Sequence, residues 1–523
     1  MGMEEFVAAV LELDIIRGYF KESAAVKSFG PKEALSLIER RQKLKEFPRY
    51  YRLYGEEFEI LEKIVANAYG DGYLEGSEKK EQIGKSSVGK KSPLERTESQ
   101  PGDEPAKQPT IRKRPIAEWA AKESFQPVTL QDLDTYYLSS GIVGERNVRT
   151  LLVYGALARA HLGIESFSGS GKSALLHSFL ELLPQREIYT LQQGSDKFFL
   201  SDKNINDYSF LVIEELQKLD SLAFKELIKT LTEGKEATYT RSNRQHDGVE
   251  RIIISPDKSI IYTLATSNTY FKHKDEELNR RFIVFYTDIS KEQNEEIIRS
   301  YASRQMEDPP KQKNEKDEVK LRLKRHIESC LEVEYFFVNP LLPYLVEHFP
   351  EEIKSNVRVR SFVRHFNSLV QGCTLFHYPQ NLSAEGGLFA SLQTNQQVCE
   401  QYGGFFYDNI LGISVVERAI LSRLNMGQKY TVEDIFTDFQ TNYCTSKLNL
   451  IRSSLDNLYE LGFIEKNEKK IVRIREDRRL QMIDWSEAFD YAARLMKDKY
   501  SRISAKWEEI SRKGLDGQKT AGG

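Results

Sequence analysis

The chain has 523 residues, enough for about three domains, and 40% of them are apolar, so it can bury sizeable cores. Its 75 basic and 78 acidic side chains give a net charge of −3, which excludes a global attraction to nucleic acid. The four cysteines lack C-x-x-C spacing, so we expect neither a zinc site nor a disulfide framework, as is typical of the cytoplasm. No apolar run approaches the length of about 18 residues that indicates a membrane span, so we expect a soluble protein.

The first 75 residues place apolar side chains at helical spacing and predict a small N-terminal all-α domain. Its aromatic and basic stretch 47–52 is compatible with nucleic-acid contact, but a solvated helix end is the favoured interpretation. Residues 76–125 are rich in Ser, Lys, Glu, Pro and Gly. This composition predicts a disordered linker, whose basic cluster Arg112-Lys113-Arg114 is interpreted as a solvated charge run.

Residues 126–305 alternate helical and strand patterns, which predicts an α/β core. An amphipathic helix is expected at 151–160, before a short strand at about 162–167. Further buried strands are predicted at 209–213, 260–265 and 282–286. The helical pattern of 306–400 predicts a lid-like bundle that follows this core.

A Gly/Ser-rich loop directly follows the strand at 162–167. It reads Ser168-Gly169-Ser170-Gly171-Lys172-Ser173 and runs into an apolar helix from Ala174. This is the closing half of the phosphate-binding pattern G-x-x-x-x-G-K-[ST], with Ser166 at the first Gly position. Backbone N–H groups, the Lys ammonium and the Ser hydroxyl suit phosphates and Mg²⁺, so residues 168–174 are predicted to bind ATP. The alternative is a Gly/Ser loop with a chance Lys.

Two carboxylates, Glu214 and Glu215, follow the strand at 209–213, in the manner of a Walker B motif. Hydrolysis of a nucleotide needs a metal anchor and a group that orients water. Glu214, in place of the commoner Asp, is therefore predicted to hold Mg²⁺ through water, together with Ser173. Glu215 is predicted to polarise the attacking water. Two exposed acidic residues without such a role are the alternative.

Three polar residues are candidates for sensing the γ-phosphate. Asn268 follows the strand at 260–265 and is predicted to contact the phosphate and the water. Arg281, with Arg280 as alternate, is predicted to reach the nucleotide of a neighbouring subunit and stabilise transition-state charge. A surface ion pair is the alternative there. In the predicted lid, Arg360 is chosen from a basic cluster as a further nucleotide contact.

The segment between these motifs predicts a β-hairpin with strands at 237–241 and 249–254. Its cationic residues Arg241, Arg244 and His246 suit a nucleic-acid phosphate backbone. In a ring, such a hairpin would point into the central channel. A surface hairpin without this role is the alternative.

Residues 405–480 contain three helical segments followed by two short strand patterns, which predicts a winged helix. Thr445 or Ser446 is expected to cap a helix that runs to Leu461. The polar face of that helix carries Lys447 and Arg452, which suit DNA, although winged helices also contact proteins. Residues 481–523 are predicted to form one helix, at 485–512, and a polar tail.

This order of motifs resembles the AAA+ helicases of the minichromosome-maintenance type and, more closely, the primase-associated helicase-like ATPase domains of mobile elements. The similarity covers about residues 130–380. It is carried by 132–144, 151–157, 170–176, 211–215, Arg281, 286–288 and 369–377. It implies a homohexameric ring that hydrolyses ATP and translocates on DNA. The chain departs from the family at Ser166 and in a shortened segment before the loop, and shows no zinc-binding or primase motif upstream.

Three functional hypotheses remain open. The first is an ATP-dependent DNA helicase or translocase in replication, acting on single-stranded or forked DNA, with a replication protein as the partner of the N-terminal domain. The second is an AAA+ initiator, loader or regulator that binds DNA and uses ATP as an assembly switch. The third is a non-enzymatic adaptor whose domain has lost ATPase activity. The main observation in favour of this hypothesis is Ser166 at the first Gly position of the loop.

Overall fold

The computed structural model describes residues 114–116, 128–191, 202–216, 221–243, 248–265, 280–304, 309–377, 382–384, 386–443, 447–467, 470–475 and 483–521. The chain divides into two units, Met1–Ala106 and Lys107–Gly523. The predicted N-terminal domain and most of the predicted linker lie outside the described residues. Within the described ranges, no helix is both long enough and apolar enough to cross a membrane.

The strands are numbered here in chain order. They are β1 (Arg114–Pro115), β2 (Leu162–Ser166), β3 (Ile188–Leu191), β4 (Phe210–Ile213), β5 (Ala237–Asn243), β6 (Gly248–Ile254), β7 (Ser259–Ala265), β8 (Ile283–Tyr286), β9 (Val333–Glu334), β10 (Phe336–Val338), β11 (Leu382–Ala384), β12 (Gly387–Phe389), β13 (Lys429–Tyr430), β14 (Ile464–Lys466) and β15 (Ile471–Arg473).

The α-helices are numbered in the same way. They are α1 (Leu130–Ser139), α2 (Arg146–Leu157), α3 (Lys172–Leu180), α4 (Leu222–Thr232), α5 (Lys291–Arg304), α6 (Pro309–Leu331), α7 (Leu342–Glu347), α8 (Glu351–Lys354), α9 (Val359–Phe376), α10 (Leu392–Leu411), α11 (Val415–Arg423), α12 (Val432–Asn442), α13 (Leu448–Glu460), α14 (Trp485–Lys499) and α15 (Ser501–Ala521).

A parallel sheet of five strands lies at the centre of the α/β core, in the order β3–β4–β7–β2–β8. Every residue of β2 and β4 is buried, as expected for parallel strands covered on both faces. Because the strands are parallel, their carboxyl ends meet at one edge. β7 separates β2 from β4, so the loops that follow those two strands begin about 10 Å apart.

The sheet is packed between two hydrophobic cores, one on each face. A strand can contribute to both cores, because successive side chains of a strand point to opposite faces. In β4, Phe210 and Val212 belong to the larger core, and Leu211 and Ile213 belong to the smaller one. The larger core includes residues of α1, α2, α3, α9 and α10. The smaller core includes residues of α4 and of the hairpin strands β5 and β6. The predicted α/β architecture of this region is therefore present.

Helix α2 links the sheet to the C-terminal helices. All of its residues from Val148 to Leu157 are buried. It meets α9 so closely that a Cβ atom at Gly372 would lie 1.8 Å from the carbonyl oxygen of Tyr154. Only glycine allows the two backbones to approach in this way. The side-chain amide of Gln397, in α10, donates a 2.6 Å hydrogen bond to the Tyr154 hydroxyl.

Helices α11, α12 and α13 accompany a three-stranded antiparallel sheet in the order β13–β15–β14. Along the chain the elements follow as helix, strand, helix, helix, strand and strand. Capping boxes start two of the helices, with Ser414 and Glu417 at α11 and Thr431 and Asp434 at α12. Local sequence therefore determines where these two helices begin.

Several boundaries in the core differ from the sequence prediction. The helix expected at 151–160 spans Arg146–Leu157 instead, and the chain leaves it at Arg159, where φ is 51° and a helix cannot continue. Strand β3 was not predicted. It has four residues and lies at an edge of the sheet, where it buries only Leu191 and so lacks an apolar run.

The predicted disordered linker and helical lid are each interrupted by β-structure. Arg114–Pro115 pairs in parallel with β9, and Ile116 is fully buried, so the prediction of disorder up to residue 125 is wrong at these residues. The sheet β10–β12–β11 lies within the segment predicted to be helical. The pairings of β1 with β9 and of β10 with β12 join segments far apart along the chain, which composition and local periodicity cannot indicate. The antiparallel pair of β11 and β12 is local.

Two predictions in the C-terminal region are also corrected. The N-cap of α13 is Lys447, which makes no side-chain capping hydrogen bond, so the expected cap at Thr445 or Ser446 is wrong. The single helix expected at 485–512 is two helices, α14 and α15, separated at Tyr500, where φ is −137° and ψ is 50°. Apolar periodicity continues across this break, which explains the error.

Candidate functional site

The loop from Phe167 to Gly171 connects the carboxyl end of β2 to the first turn of α3. Gly169 and Gly171 both have φ of 83°, a left-handed conformation that favours glycine. The hydroxyl of Ser170 is shielded from solvent and has no hydrogen-bond partner among the described residues. A loop of this shape at the start of a helix suits an anion, because backbone N–H groups and the helix dipole face the same place.

Ser166, which stands at the first Gly position of the loop pattern, is the last residue of β2. It pairs in parallel with Ala265 of β7 and is fully buried. Its backbone is extended and does not adopt a positive φ. The conformation at this position therefore does not require glycine, so the loop turns at Gly169 and Gly171 without it.

Lys172, the predicted phosphate-binding lysine, is buried at the first position of α3. Its ammonium donates a 3.0 Å hydrogen bond to the carbonyl of Ser166 and a second hydrogen bond to the carbonyl of Phe167. Burial lowers the pKa of Lys172, while the nearby charge of Glu215 acts in the opposite direction. The lysine of the loop and the second carboxylate after β4 are thus brought into electrostatic contact.

Glu214 lies directly after β4 and its side chain is mostly buried. Its backbone amide continues the pairing with β3 through a 3.1 Å hydrogen bond to the carbonyl of Leu191. Its carboxylate accepts a hydrogen bond from Nε2 of His177 at 2.9 Å. His177 and Ser173 are four residues apart on α3 and are both exposed, so they share one face of the helix. Ser173 and Glu214 are hard oxygen donors of the kind that Mg²⁺ prefers.

Glu215 has a strained backbone, with φ of 57°. Its amide donates a 3.0 Å hydrogen bond to the hydroxyl of Thr263, a buried residue of β7. A non-glycine residue in this conformation stores strain that its surroundings must offset, and such residues cluster at functional sites. The sequence analysis did not identify Thr263 or His177 as site residues. The available signals were a Thr within an apolar strand and a His one helical turn after Ser173.

The predicted sensor Asn268 lies outside the described residues. β7 ends at Ala265, between the carboxyl ends of β2 and β4. Ala265 is in register with Ser166, and Tyr262 is in register with Ile213. The strand that leads to Asn268 therefore separates the strands that lead to Lys172 and to Glu214.

Arg281 is held by its own chain. Its guanidinium donates 2.7 Å hydrogen bonds to the carbonyl of Lys229 and to the carboxylate of Glu233, at the end of α4, and its side chain is only 9% exposed. Hydrogen bonds from Lys235 and then from Arg281 lower the pKa of Glu233 to about 2. A cation at this place also complements the helix dipole of α4. The alternate, Arg280, is exposed. The role of either arginine toward a neighbouring subunit stays a prediction.

The remaining predicted contacts are spread over other elements. Arg360 is exposed in the first turn of α9, and no hydrogen bond from it to the loop occurs among the described residues. Arg241 lies in β5, opposite Glu250, whereas Arg244 and His246 lie outside the described residues. Lys447 and Arg452 are exposed at the start of α13.

A cavity of about 460 Å³ opens at the carboxyl end of β8, the strand next to β2. It is lined by the start of α2, by residues 286–290 and by α10 and α11. Glu145 accepts a 2.6 Å hydrogen bond from the amide of Asp288. Burial raises the pKa of Glu145 to about 7, which the Asp288 amide partly offsets. The hydroxyl of Thr287 is buried and has no hydrogen-bond partner among the described residues. Sequence reasoning did not identify this cavity.

No family model matches the chain, and no curated protein matches it. A solved structure of a "putative ATPase" from Cytophaga hutchinsonii is similar at 13% sequence identity over 52% of this chain and 84% of that chain, with a TM-score of 0.32. This similarity is too low to support a conclusion about function. The function is therefore inferred from the geometry of the site itself.

Proposed function

We propose that this protein binds ATP with a divalent cation at the carboxyl edge of the central sheet and hydrolyses it. The observation that carries the proposal is the meeting of three groups at that edge. Lys172 lies in electrostatic contact with Glu215, and α3 contacts Glu214 through His177. A phosphate cradle, a metal anchor and a water-orienting carboxylate are the parts that phosphoryl transfer needs.

Each residue then has a defined task. Lys172 exchanges its bonds with the Ser166 and Phe167 carbonyls for bonds with phosphate oxygens, while the N–H groups of residues 168–174 bind the same anion. Ser173 and Glu214 hold the cation, which neutralises charge on the phosphates. Glu215 accepts a proton from the attacking water and orients it. The cavity beside β8 is the place that we propose for the base and ribose.

The finer proposal is a DNA helicase or translocase that works in replication as a hexameric AAA+ ring. The hairpin of β5 and β6 is inserted between β4 and β7, and its strands pair antiparallel over seven residues. Its base is anchored by Asn206, which donates to the Ile253 carbonyl at 2.7 Å. This bond attaches the hairpin to the segment just before β4, the strand that leads to Glu214 and Glu215. The helix order around α11–α13 supports the winged-helix assignment, and DNA is the proposed partner.

A second candidate, an ATP-dependent assembly switch, is favoured by the bonds of Arg281 within its own chain. In a subunit with this arrangement, the arginine must leave Glu233 before it can reach a neighbouring nucleotide. Hydrolysis would then depend on assembly. This candidate keeps the same nucleotide site and differs in what the energy of ATP is used for.

The test measures ATP binding by calorimetry, ATP hydrolysis with and without single-stranded DNA, and unwinding of forked duplex. Lys172→Ala should lower ATP affinity by at least tenfold and abolish hydrolysis. Lys258→Ala is the matched control, because Lys258 is also buried and also donates to a backbone carbonyl, that of Asn206 at 3.0 Å, but lies at the opposite end of β7. The folded protein of Lys258→Ala should bind ATP with the same affinity as the natural chain.

The results separate the proposals. Absence of ATP binding and hydrolysis in the natural chain refutes the nucleotide site. Hydrolysis that DNA stimulates, without unwinding, supports the assembly switch. Loss of unwinding in Arg244→Ala, with an unchanged result for Arg299→Ala on the exposed face of α5, supports the helicase. Full unwinding by Arg244→Ala refutes the assignment of the hairpin.

A further inference from the structure

An imidazole lies beside the proposed cation site. His177 Nε2 is 2.9 Å from Glu214 Oε1, and the His177 side chain is 52% exposed whereas that of Glu214 is 15% exposed. His177 stands one helical turn after Ser173 on the same face of α3. His177 thus brings an aromatic nitrogen to the Glu214 carboxylate, on the face of α3 that also carries the Ser173 hydroxyl.

The distance between nitrogen and oxygen fits a shared cation. Two ligands that each lie about 2.1 Å from a metal, at a right angle, are about 3.0 Å apart. The observed 2.9 Å separation equals this value within the tolerance of such sites. A cation can therefore replace the proton between His177 and Glu214 with little movement of either side chain.

We propose that His177 is a ligand of the divalent cation that binds with the nucleotide, so that the site prefers a transition-metal dication such as Mn²⁺ to Mg²⁺. Imidazole nitrogen suits transition metals, whereas Mg²⁺ prefers oxygen ligands. The described residues contain no cluster of three or more His, Cys, Asp or Glu that could hold a metal by itself. Phosphate oxygens and water complete the coordination, so this inference rests on the proposed function.

The test uses the full chain with Mn²⁺ and a non-hydrolysable ATP analogue, observed by pulsed electron paramagnetic resonance. The natural chain should show coupling of the manganese to an imidazole ¹⁴N nucleus. His177→Gln should lose this coupling, because glutamine keeps a hydrogen-bond donor for Glu214 but lacks the ring nitrogen. His348→Gln is the control, since His348 is exposed beside Tyr344 and should leave the coupling unchanged.

Titrations of cation with the nucleotide complex provide the second measurement. His177→Gln should weaken Mn²⁺ binding by about tenfold, and Mg²⁺ binding by less than about twofold. A complex of the natural chain with Mn²⁺ and nucleotide that shows no ¹⁴N coupling overturns the role of His177 and leaves the nucleotide site standing. Equal weakening of Mn²⁺ and Mg²⁺ also overturns it. Failure of the natural chain to bind the analogue refutes the proposed function itself.

Discussion

The backbone amide of Glu215 donates a 3.0 Å hydrogen bond to the buried hydroxyl of Thr263. This bond ties the residue after β4 to the middle of β7, and it fixes Glu215 in a left-handed conformation with φ of 57°. The backbone that carries the proposed water-orienting carboxylate is therefore held by a neighbouring strand.

Thr263→Val should lower both hydrolysis and stability. The substitution keeps the shape of the side chain but leaves the Glu215 amide without its acceptor, which costs about 1–3 kcal/mol. With that restraint lost, the strained backbone can relax and displace the carboxylate, so we expect the hydrolysis rate to fall at least tenfold. Urea denaturation and kcat measure the two effects. Thr263→Ser retains the hydroxyl and should restore most of the rate; equal loss in both variants would contradict the positioning role.

Gly372→Ala should destabilise the fold by more than about 2 kcal/mol, because overpacking forces the backbone to shift. The added Cβ would meet the Tyr154 carbonyl at 1.8 Å, where α9 crosses α2. Gly404 in α10 offers a matched control, since a Cβ added there would have no neighbouring side chain or packed element within 4 Å. Gly404→Ala should stabilise by about 0.5–1 kcal/mol, as alanine is the better helix former. Thermal unfolding of both variants checks the difference, and a stable Gly372→Ala would refute the close contact.

Ser166→Gly should leave nucleotide binding and hydrolysis within about twofold of the natural chain. Ser166 is an extended, paired strand residue, so glycine adds no needed freedom and costs about 0.5–1 kcal/mol of stability. Gly171→Ala is the informative contrast, because φ of 83° at Gly171 costs a residue with a Cβ about 1–2 kcal/mol. We expect that variant to lose ATP affinity in calorimetry. A large gain of hydrolysis in Ser166→Gly would instead indicate that Ser166 lowers the ATPase activity of the natural chain.

Glu145→Gln should increase stability at about pH 8 and change it little at about pH 5. The pKa of Glu145 is raised from 4.5 to about 7, chiefly by burial, with opposing contributions from the Asp288 amide and from Arg149. A raised carboxyl pKa means that the folded state binds more protons, so this group costs stability as pH rises between about 4.5 and 7. The cost is on the order of 3 kcal/mol.

Glutamine can still accept the hydrogen bond from the Asp288 amide, so this variant removes the titration and keeps the contact. Denaturant unfolding of the natural chain and of Glu145→Gln between about pH 5 and pH 8 gives the difference in their free energies of unfolding. Titration of the other groups is common to both proteins and cancels in this difference. A difference that does not vary with pH would contradict the raised pKa of Glu145.

Glu233→Gln should lower the protein concentration at which ATP hydrolysis is half-maximal, by about two- to fivefold. A partly exposed ion pair contributes about 0.5–1 kcal/mol, and its removal makes Arg281 easier to transfer to a neighbouring subunit. Glu226→Gln changes an exposed carboxylate on the same helix and should have no effect. If Glu233→Gln lowers hydrolysis equally at all concentrations, Arg281 acts within its own chain.

Much of the core follows from local sequence. The glycines and Lys172 identify the loop, and the apolar runs before Glu214 and after Lys258 identify β4 and β7, because strands buried on both faces must be continuously apolar. The antiparallel hairpin of β5 and β6 was also predicted, since two β-like segments close in sequence are joined by residues typical of a turn. Edge strand β3 and the pairing of β1 with β9 were missed, as each depends on a partner that only the folded chain brings near.

The sequence by itself determined the kinds of groups at the site: a lysine, a serine and two carboxylates at strand ends. Tertiary structure alone decided which neighbours act on them. It places Thr263 under Glu215, His177 beside Glu214 and Glu233 on Arg281, through contacts that join residues 37 to 48 positions apart. Such contacts arise from strand order and helix packing, and neither leaves a local pattern in the sequence, because side chains that meet across strands have no fixed spacing along the chain.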